Sequence, residues 1–127
     1  MVIVLDTCAL IFWTLDPDRL SSAAREAIDA TKRKIISSIS IWEIGLKVKR
    51  EKLVLPLSVE DYVDNLKKVE GVEIFPVDEK TWLKNLQLDW PHRDPADRTI
   101  VTTATLLSCP LITSDGVIRS FYAETIW

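Results

Sequence analysis

The stretch VIVLD, residues 2–6, determines which fold we expect, because four apolar residues in a row end on an acid. A β-branched run without alternation is typical of a strand that is buried on both faces of a parallel sheet. Short apolar runs recur at residues 35–38, 72–75 and 111–113, and helical patterns separate them. We therefore predict an α/β fold with a mainly parallel central sheet that is flanked by helices on both faces.

The segments between the strands carry helix-start signals. Ser21-Ser22, Ser58 and Asp78 are placed as N-caps. The pattern predicts helices over residues 9–15, 22–30, 39–50, 58–69 and 96–108, and a short helix after Asp78. Asp115-Gly116 is predicted to be a turn, and residues 123–127 are predicted to add an edge strand.

Composition limits the class of protein. The length of 127 residues and the hydrophobic content of 47% suit one domain spanning residues 1–127. A formal charge of −3 excludes coating of nucleic acid through bulk positive charge. Cys8 and Cys109 lack CxxC spacing, no signal-peptide pattern is present, and apolar runs are too short for a bilayer. We expect free thiols, no membrane insertion and a cytoplasmic location.

Four acids lie against apolar runs, where an ionised side chain loses hydration. Two of them, Asp6 and Asp115, follow predicted strands, and Glu43 and Asp97 lie near the starts of helices. The carboxyl ends of parallel strands meet at one edge of a sheet, so all four can converge there. An oxygen-only set of ligands suits Mg²⁺ or Mn²⁺, and such an ion suits phosphodiester hydrolysis.

Each acid also has an ordinary structural explanation. Asp6 can cap the next helix, and Asp115 can serve the Asp-Gly turn. Asp94 is an N-cap followed by Pro95, and Asp97 can complete that capping box. Glu43 can form a surface pair with a lysine one turn later.

Basic and aromatic residues near these acids leave further alternatives open. A cluster of cations at the end of the third helix is either a solvated terminus or a phosphate contact; it comprises Lys47, Lys49, Arg50 and Lys52. His92, the only histidine, is expected at the surface rather than at the site. The chain contains neither of the phosphate-binding motifs GxxxxGK[ST] and GxGxxG, nor the serine-hydrolase motif GxSxG.

Four segments, in this order and spacing, resemble those of the PIN domain, specifically the VapC-type toxins of bacterial and archaeal toxin–antitoxin modules. They are LDTCAL, SSISIWEIGLKVKREKLVLP, HRDPADRTIVTTA and PLITSD, and the resemblance covers nearly the whole chain. The acidic quartet of the family corresponds to Asp6, Glu43, Asp97 and Asp115. Asp94 also matches the family motif, and we assign it to helix capping, outside the quartet.

The resemblance implies an endoribonuclease that hydrolyses RNA phosphodiester bonds with Mg²⁺ or Mn²⁺ and an activated water. It also implies a homodimer and neutralisation by a cognate antitoxin, whose basic side chain can reach the acidic cleft. Supporting hydroxyls near the metal correspond to Thr7, Ser38, Thr113 and Ser114, with Thr7 or Ser114 expected to steady a ligand or a bound water. The competing interpretation is a PIN-like module that binds RNA or an antitoxin without cutting.

One segment departs from the resemblance. Thr102 and Thr103 stand where small apolar residues are commoner in the family. We expect their hydroxyls to bond back to the preceding helical turn, which would satisfy them inside an apolar helix.

Overall fold

The chain alternates strands with helices along its whole length. A computed structural model describes residues 1–127. The elements are β1 (Val2–Leu5), α1 (Thr7–Leu15), a 3₁₀ turn (Pro17–Arg19), α2 (Ser22–Ala30), β2 (Arg33–Ser37), α3 (Ser38–Lys49), α4 (Val59–Lys68), β3 (Val72–Phe75), α5 (Glu79–Gln87), α6 (Pro95–Leu107), β4 (Leu111–Ile112), α7 (Gly116–Phe121) and β5 (Thr125–Ile126). None of the helices combines the length and the hydrophobicity that crossing a membrane requires.

The five strands form one sheet in the order β3-β2-β1-β4-β5, and every neighbouring pair is parallel. The predicted edge strand is β5, which pairs with β4. The strand order reverses between β1 and β4, and the crevice outside the carboxyl ends of such strands is where α/β folds bind ligands. The predicted α/β fold with a parallel sheet is therefore confirmed.

Alternate residues of each central strand point to opposite faces of the sheet and build two cores. Ile3 and Leu5 pack with side chains from α1, α2 and α4 on one face. Val4 and Leu111 pack on the other face with side chains from α6 and α7. Both faces are covered by helices, which explains why the strands contain uninterrupted apolar runs.

Several helix signals are confirmed by the hydrogen bonds at their ends. Ser21, Ser58 and Asp78 each accept a hydrogen bond from the backbone N–H three residues on. The two threonines of α6 behave as expected: Thr102 donates to the carbonyl of Arg98, and Thr103 donates to the carbonyl of Thr99. These bonds satisfy hydroxyls that are wholly buried.

Two local predictions were wrong. Asp115-Gly116 is not a turn but the start of α7: the Asp115 Oδ1 accepts from the N–H groups of Val117 and Ile118. Burial of Ile118 in the second core stabilises this short helix, which the dipeptide alone does not reveal. The strand β2 begins at Arg33, two residues earlier than expected. Its first residues pair with β1, and the Arg33 side chain donates hydrogen bonds to Glu73 on the neighbouring strand β3.

The end of α3 is closed by its own backbone. The Lys52 N–H donates to the carbonyl of Lys47 at 2.8 Å, and the Glu51 N–H donates to the carbonyl of Val48 at 3.1 Å. This is the Schellman motif, which requires a residue in the left-handed conformation directly after the helix C-cap. Glu51 occupies that position with a φ of 58°, although glycine is usual there.

Glu51→Gly should stabilise the protein by about 1 kcal/mol, because glycine adopts a left-handed conformation without the Cβ clash. Glu51→Ala is the matched control, since it removes the same charge but keeps the Cβ. Urea unfolding followed by circular dichroism would compare the two variants. Equal stability of both variants would show that charge, rather than backbone strain, limits this position.

Candidate metal centre

The four predicted acids line one small cavity at the carboxyl edge of the sheet. Asp6 follows β1 directly, and Asp115 follows β4 after two intervening residues. Glu43 on α3 and Asp97 on α6 close the cavity from the helix side. Its volume is about 130 Å³, and its walls also include Thr7, Cys8, Lys47 and Ser114.

Asp6 is the most deeply buried of the four acids, with 6% of its surface exposed. Its Oδ1 accepts a 2.7 Å hydrogen bond from the Ala9 N–H, so it caps α1 as the structural alternative predicted. Burial raises the pKa of Asp6 to about 6, and the charges of Asp97 and Asp115 add to the shift. Capping therefore holds the carboxylate in place without removing it from the acidic cavity.

Glu43 is oriented by a hydroxyl that the sequence had placed near the metal. Thr7 donates a hydrogen bond to the Glu43 Oε1, and the Thr7 and Ser40 hydroxyls are 2.9 Å apart. Burial raises the Glu43 pKa, and the nearby charges of Asp94 and Asp97 raise it further. No ion pair forms between Glu43 and Lys47, so the alternative of a simple surface pair does not hold.

Asp97 is held on both sides by neighbours from the loop before α6. Its N–H donates to the Asp94 Oδ1 at 2.9 Å, which confirms Asp94 as a helix cap. Its Oδ2 lies 2.8 Å from the His92 Nε2, while its Oδ1 makes no hydrogen bond. Burial raises the pKa of Asp97, and the bond to His92 opposes part of that rise.

The sequence did not place His92 at the site. The ring lies 4.8 Å from the Trp90 ring, and only a quarter of its side chain is exposed. Trp90 in turn stacks on Phe121 of α7 at 4.5 Å. The proximity of His92 to Asp97 in the chain was the available signal, but the path of an irregular loop cannot be derived from spacing alone.

Arg98 was also missed, and it fixes the path of that loop. Its guanidinium donates hydrogen bonds to the backbone carbonyls of Asn85, Trp90 and His92. The Arg98 Nε binds the Asn85 Oδ1 at 3.1 Å. In the sequence, an arginine next to an aspartate looks like an ordinary surface ion pair. In the structure, Arg98 instead connects α5 and the loop to α6 and so positions His92 against Asp97.

Three of the four predicted hydroxyls lie at or next to the acidic cavity. The Thr113 hydroxyl accepts from the Asp115 N–H at 3.1 Å and lies near enough to Asp6 to lower its pKa, and Ser114 lines the cavity. Ser38 is placed elsewhere: its hydroxyl accepts from the Val77 N–H and lines a separate apolar groove. Thr7, Thr113 and Ser114 therefore accompany the acids, and Ser38 does not.

The donor set fits a hard divalent cation. Each of Glu43, Asp97 and Asp115 uses one carboxylate oxygen in a hydrogen bond and leaves the other without a protein partner. No group of three or more acidic, histidine or cysteine side chains is placed to hold one metal ion directly. Mg²⁺ retains several waters and is commonly held by one or two carboxylates, so a hydrated ion suits this open arrangement. Its charge would also offset the burial and the repulsion that raise the pKa values of Asp6, Glu43 and Asp97.

Comparison with known proteins places the chain among described families. The model of the PIN domain matches residues 3–124. Ribonuclease VapC22 of Mycobacterium tuberculosis is 32% identical over 119 residues, which are 93% of this chain and 90% of that protein.

Solved structures share the fold at lower identity. VapBC2 from Rickettsia felis, bound to a DNA fragment from its promoter, matches with a TM-score of 0.70 and 15% identity and covers 100% of both chains. A toxin–antitoxin complex from Klebsiella pneumoniae matches with a TM-score of 0.69 and 19% identity, over 98% of this chain and 96% of that one.

Proposed function

Since this chain belongs to the PIN-domain family, we propose that it is a metal-dependent endoribonuclease toxin that a cognate antitoxin neutralises. The observation that carries the proposal is the convergence of Asp6, Glu43, Asp97 and Asp115 on one cavity with pKa values raised by burial in three of them. The name of the ribonuclease relative and the toxin–antitoxin complexes among the solved structures support the same assignment. We expect residues 1–127 to act as one domain.

The arrangement suits phosphodiester hydrolysis. Bound Mg²⁺ or Mn²⁺ supplies Lewis-acid polarisation of a phosphate oxygen and a water of lowered pKa. The helix-capping bonds of Asp6 and Asp115 and the bond between Asp97 and His92 fix the carboxylates that would hold the ion. The attacking water forms a P–O bond and loses a proton to a carboxylate oxygen such as the Glu43 Oε2, and the P–O bond to the leaving ribose oxygen breaks. The leaving oxygen takes a proton from solvent.

An RNA cleavage assay tests the proposal and its non-catalytic competitor. Purified protein would be incubated with structured and single-stranded RNAs in Mg²⁺, Mn²⁺ or EDTA. We expect RNA cleavage in the presence of metal, no cleavage in EDTA, and recovery of cleavage when the metal is added back. Binding without cutting in any metal would favour the PIN-like binding module.

The antitoxin is expected to be a protein with a basic segment. The cavity carries four carboxylates and one lysine, so it presents negative charge to solvent when no cation is bound. A basic side chain inserted there would compete with the ion for the same oxygens. Inhibition by the antitoxin should therefore weaken as the Mn²⁺ concentration rises.

We also propose a homodimer that uses the exposed apolar face of α5. Trp82, Leu83 and Leu86 are 45%, 59% and 79% exposed on consecutive turns of this helix. A contiguous exposed apolar face of this kind marks an interaction surface, and two-fold pairing of identical patches is the commonest solution.

Leu86→Asp should convert the dimer into monomers, because it places a charge in the centre of that face. Light scattering on purified protein measures the mass directly. Val54→Asp is the matched control, since Val54 is 88% exposed but lies in the loop after α3. A dimer that survives Leu86→Asp would exclude this face.

A further inference from the structure

A second cleft adjoins the acidic cavity on the α3 side. Its volume is about 280 Å³, and its walls include Trp42, Glu43, Lys47, Arg50, Lys52 and Asp94. Glu43 and Lys47 line both this basic cleft and the acidic cavity. The two spaces are therefore neighbours along one surface, so a ligand in the acidic cavity can extend directly into the basic cleft.

The cations of the basic cleft are free to bind an anion. Lys47, Arg50 and Lys52 make no ion pair with any protein carboxylate. Of the two acids in the same walls, Asp94 has an oxygen committed to the Asp97 N–H and Glu43 accepts from Thr7. Three unpaired cations therefore line a single cleft in a chain whose formal charge is −3.

Hydrogen bonding at the end of α3 does not require these cations. Three of the last four carbonyls of the helix already have backbone donors: Leu46 and Val48 accept from Arg50 and Glu51, and Lys47 accepts from Lys52. The side chains are therefore not needed as hydrogen-bond partners for the helix terminus. The left-handed residue Glu51 turns the chain so that Lys52, beyond the helix, joins the same cleft, and strained backbone of this kind is concentrated at functional sites.

The cleft also carries an exposed aromatic wall. Trp42 is 56% exposed although it lies in the middle of α3. Cations that follow a phosphate backbone beside an aromatic face on which a base can stack are the recurring features of single-stranded nucleic acid binding. A base inside a duplex is already stacked on its neighbours, so only an unpaired nucleotide can use this wall.

We propose that the basic cleft binds the RNA phosphate next to the one that is cut, through Lys47, Arg50 and Lys52, while a flanking unpaired base stacks on Trp42. The proposal rests on the assignment of the acidic cavity as a ribonuclease site, and it names the residues of this chain that hold the RNA beside the cut.

Binding can be tested separately from cleavage. Fluorescence anisotropy would measure binding of a labelled single-stranded RNA to an Asp97→Asn protein, with and without Arg50→Gln/Lys52→Gln, over a range of salt concentrations. Loss of two phosphate contacts should weaken binding by about tenfold and reduce the log–log salt slope by roughly 1.4. Lys49→Gln/Lys68→Gln is the matched control: both lysines are exposed outside the cleft, and binding should change by less than about twofold.

A second variant tests the stacking wall. Trp42→Ala should weaken single-stranded RNA binding by at least about fivefold and leave binding of a duplex of the same sequence unchanged. The proposal would be overturned if the cleft and control double variants weakened RNA binding equally. It would also be overturned if Trp42→Ala weakened duplex and single-strand binding equally, or changed only the self-association of the protein. Cleft-dependent binding by a protein that cuts no RNA would instead contradict the ribonuclease assignment and leave the cleft intact.

Discussion

Asp97→Asn should reduce RNA cleavage by at least about a hundredfold, equivalent to ~3 kcal/mol of transition-state stabilisation. The substitution removes the charge of an oxygen that has no protein partner, the Asp97 Oδ1, and keeps the shape of the side chain. The backbone N–H of residue 97 still donates to Asp94, so α6 should begin normally. The rate should therefore fall without a loss of helix content or of thermal stability.

The assay for Asp97→Asn needs a carboxylate control from the same region. Asp89→Asn makes the same chemical change at an exposed loop position that does not line the acidic cavity. It should cut RNA at the wild-type rate when purified in parallel. Cleavage by Asp97→Asn at the rate of the control would remove Asp97 from the site and point to a contaminating ribonuclease.

Asp6→Asn should stabilise the metal-free protein by up to about 3 kcal/mol at pH 7.5, although it should also abolish cleavage. Burial raises the pKa of Asp6 from the ordinary aspartate value of 3.8 to about 6 in the folded protein. A carboxyl whose pKa is raised by folding makes the unfolded chain ionise first, so the native state loses stability as the pH rises from about 4 to about 6. Asparagine keeps the carbonyl oxygen that caps α1 and cannot ionise.

The pH dependence identifies the cause of this effect. Urea unfolding at pH 4 and pH 7.5 would measure the free energy of unfolding of Asp6→Asn and of wild type. The stability gap between the two proteins should be small at pH 4 and larger at pH 7.5. Under the proposed binding of Mg²⁺ to the native site, adding the ion should stabilise wild type and narrow the gap. A gap that does not change with pH, or an Asp6→Asn protein that is less stable than wild type at pH 7.5, would contradict a raised pKa of the buried Asp6.

Capping a helix leaves one oxygen of the same carboxylate available for a ligand. Asp6 and Asp115 each use one oxygen to cap the helix that follows their strand. A capped carboxylate loses rotational freedom, so its remaining oxygen points in a fixed direction at no further entropic cost. The structural explanation weighed from the sequence was therefore correct for Asp6, whereas Asp115 caps α7 instead of serving the predicted turn. Neither cap competes with a metal-binding role.

The sheet and the acidic positions were predictable because they depend on local patterns. Uninterrupted apolar runs such as residues 2–5 mark strands buried on both faces, and parallel strands bring their ends to one edge. The α7 helix was missed because its stability comes from burial of Ile118 in a core built by distant segments. His92 and Arg98 were missed because the loop they organise is shaped by carbonyls of another helix.

The most direct measurement is a calorimetric titration of Mn²⁺ into metal-free wild type, Glu43→Gln and Asp97→Asn. Wild type should bind Mn²⁺, and each variant should bind at least about tenfold more weakly, because each loses one charged oxygen from the set around a hard cation. All three proteins should give the same circular dichroism spectrum. Equal Mn²⁺ affinity in the three proteins, or no binding by wild type, would contradict a metal centre built from these four acids.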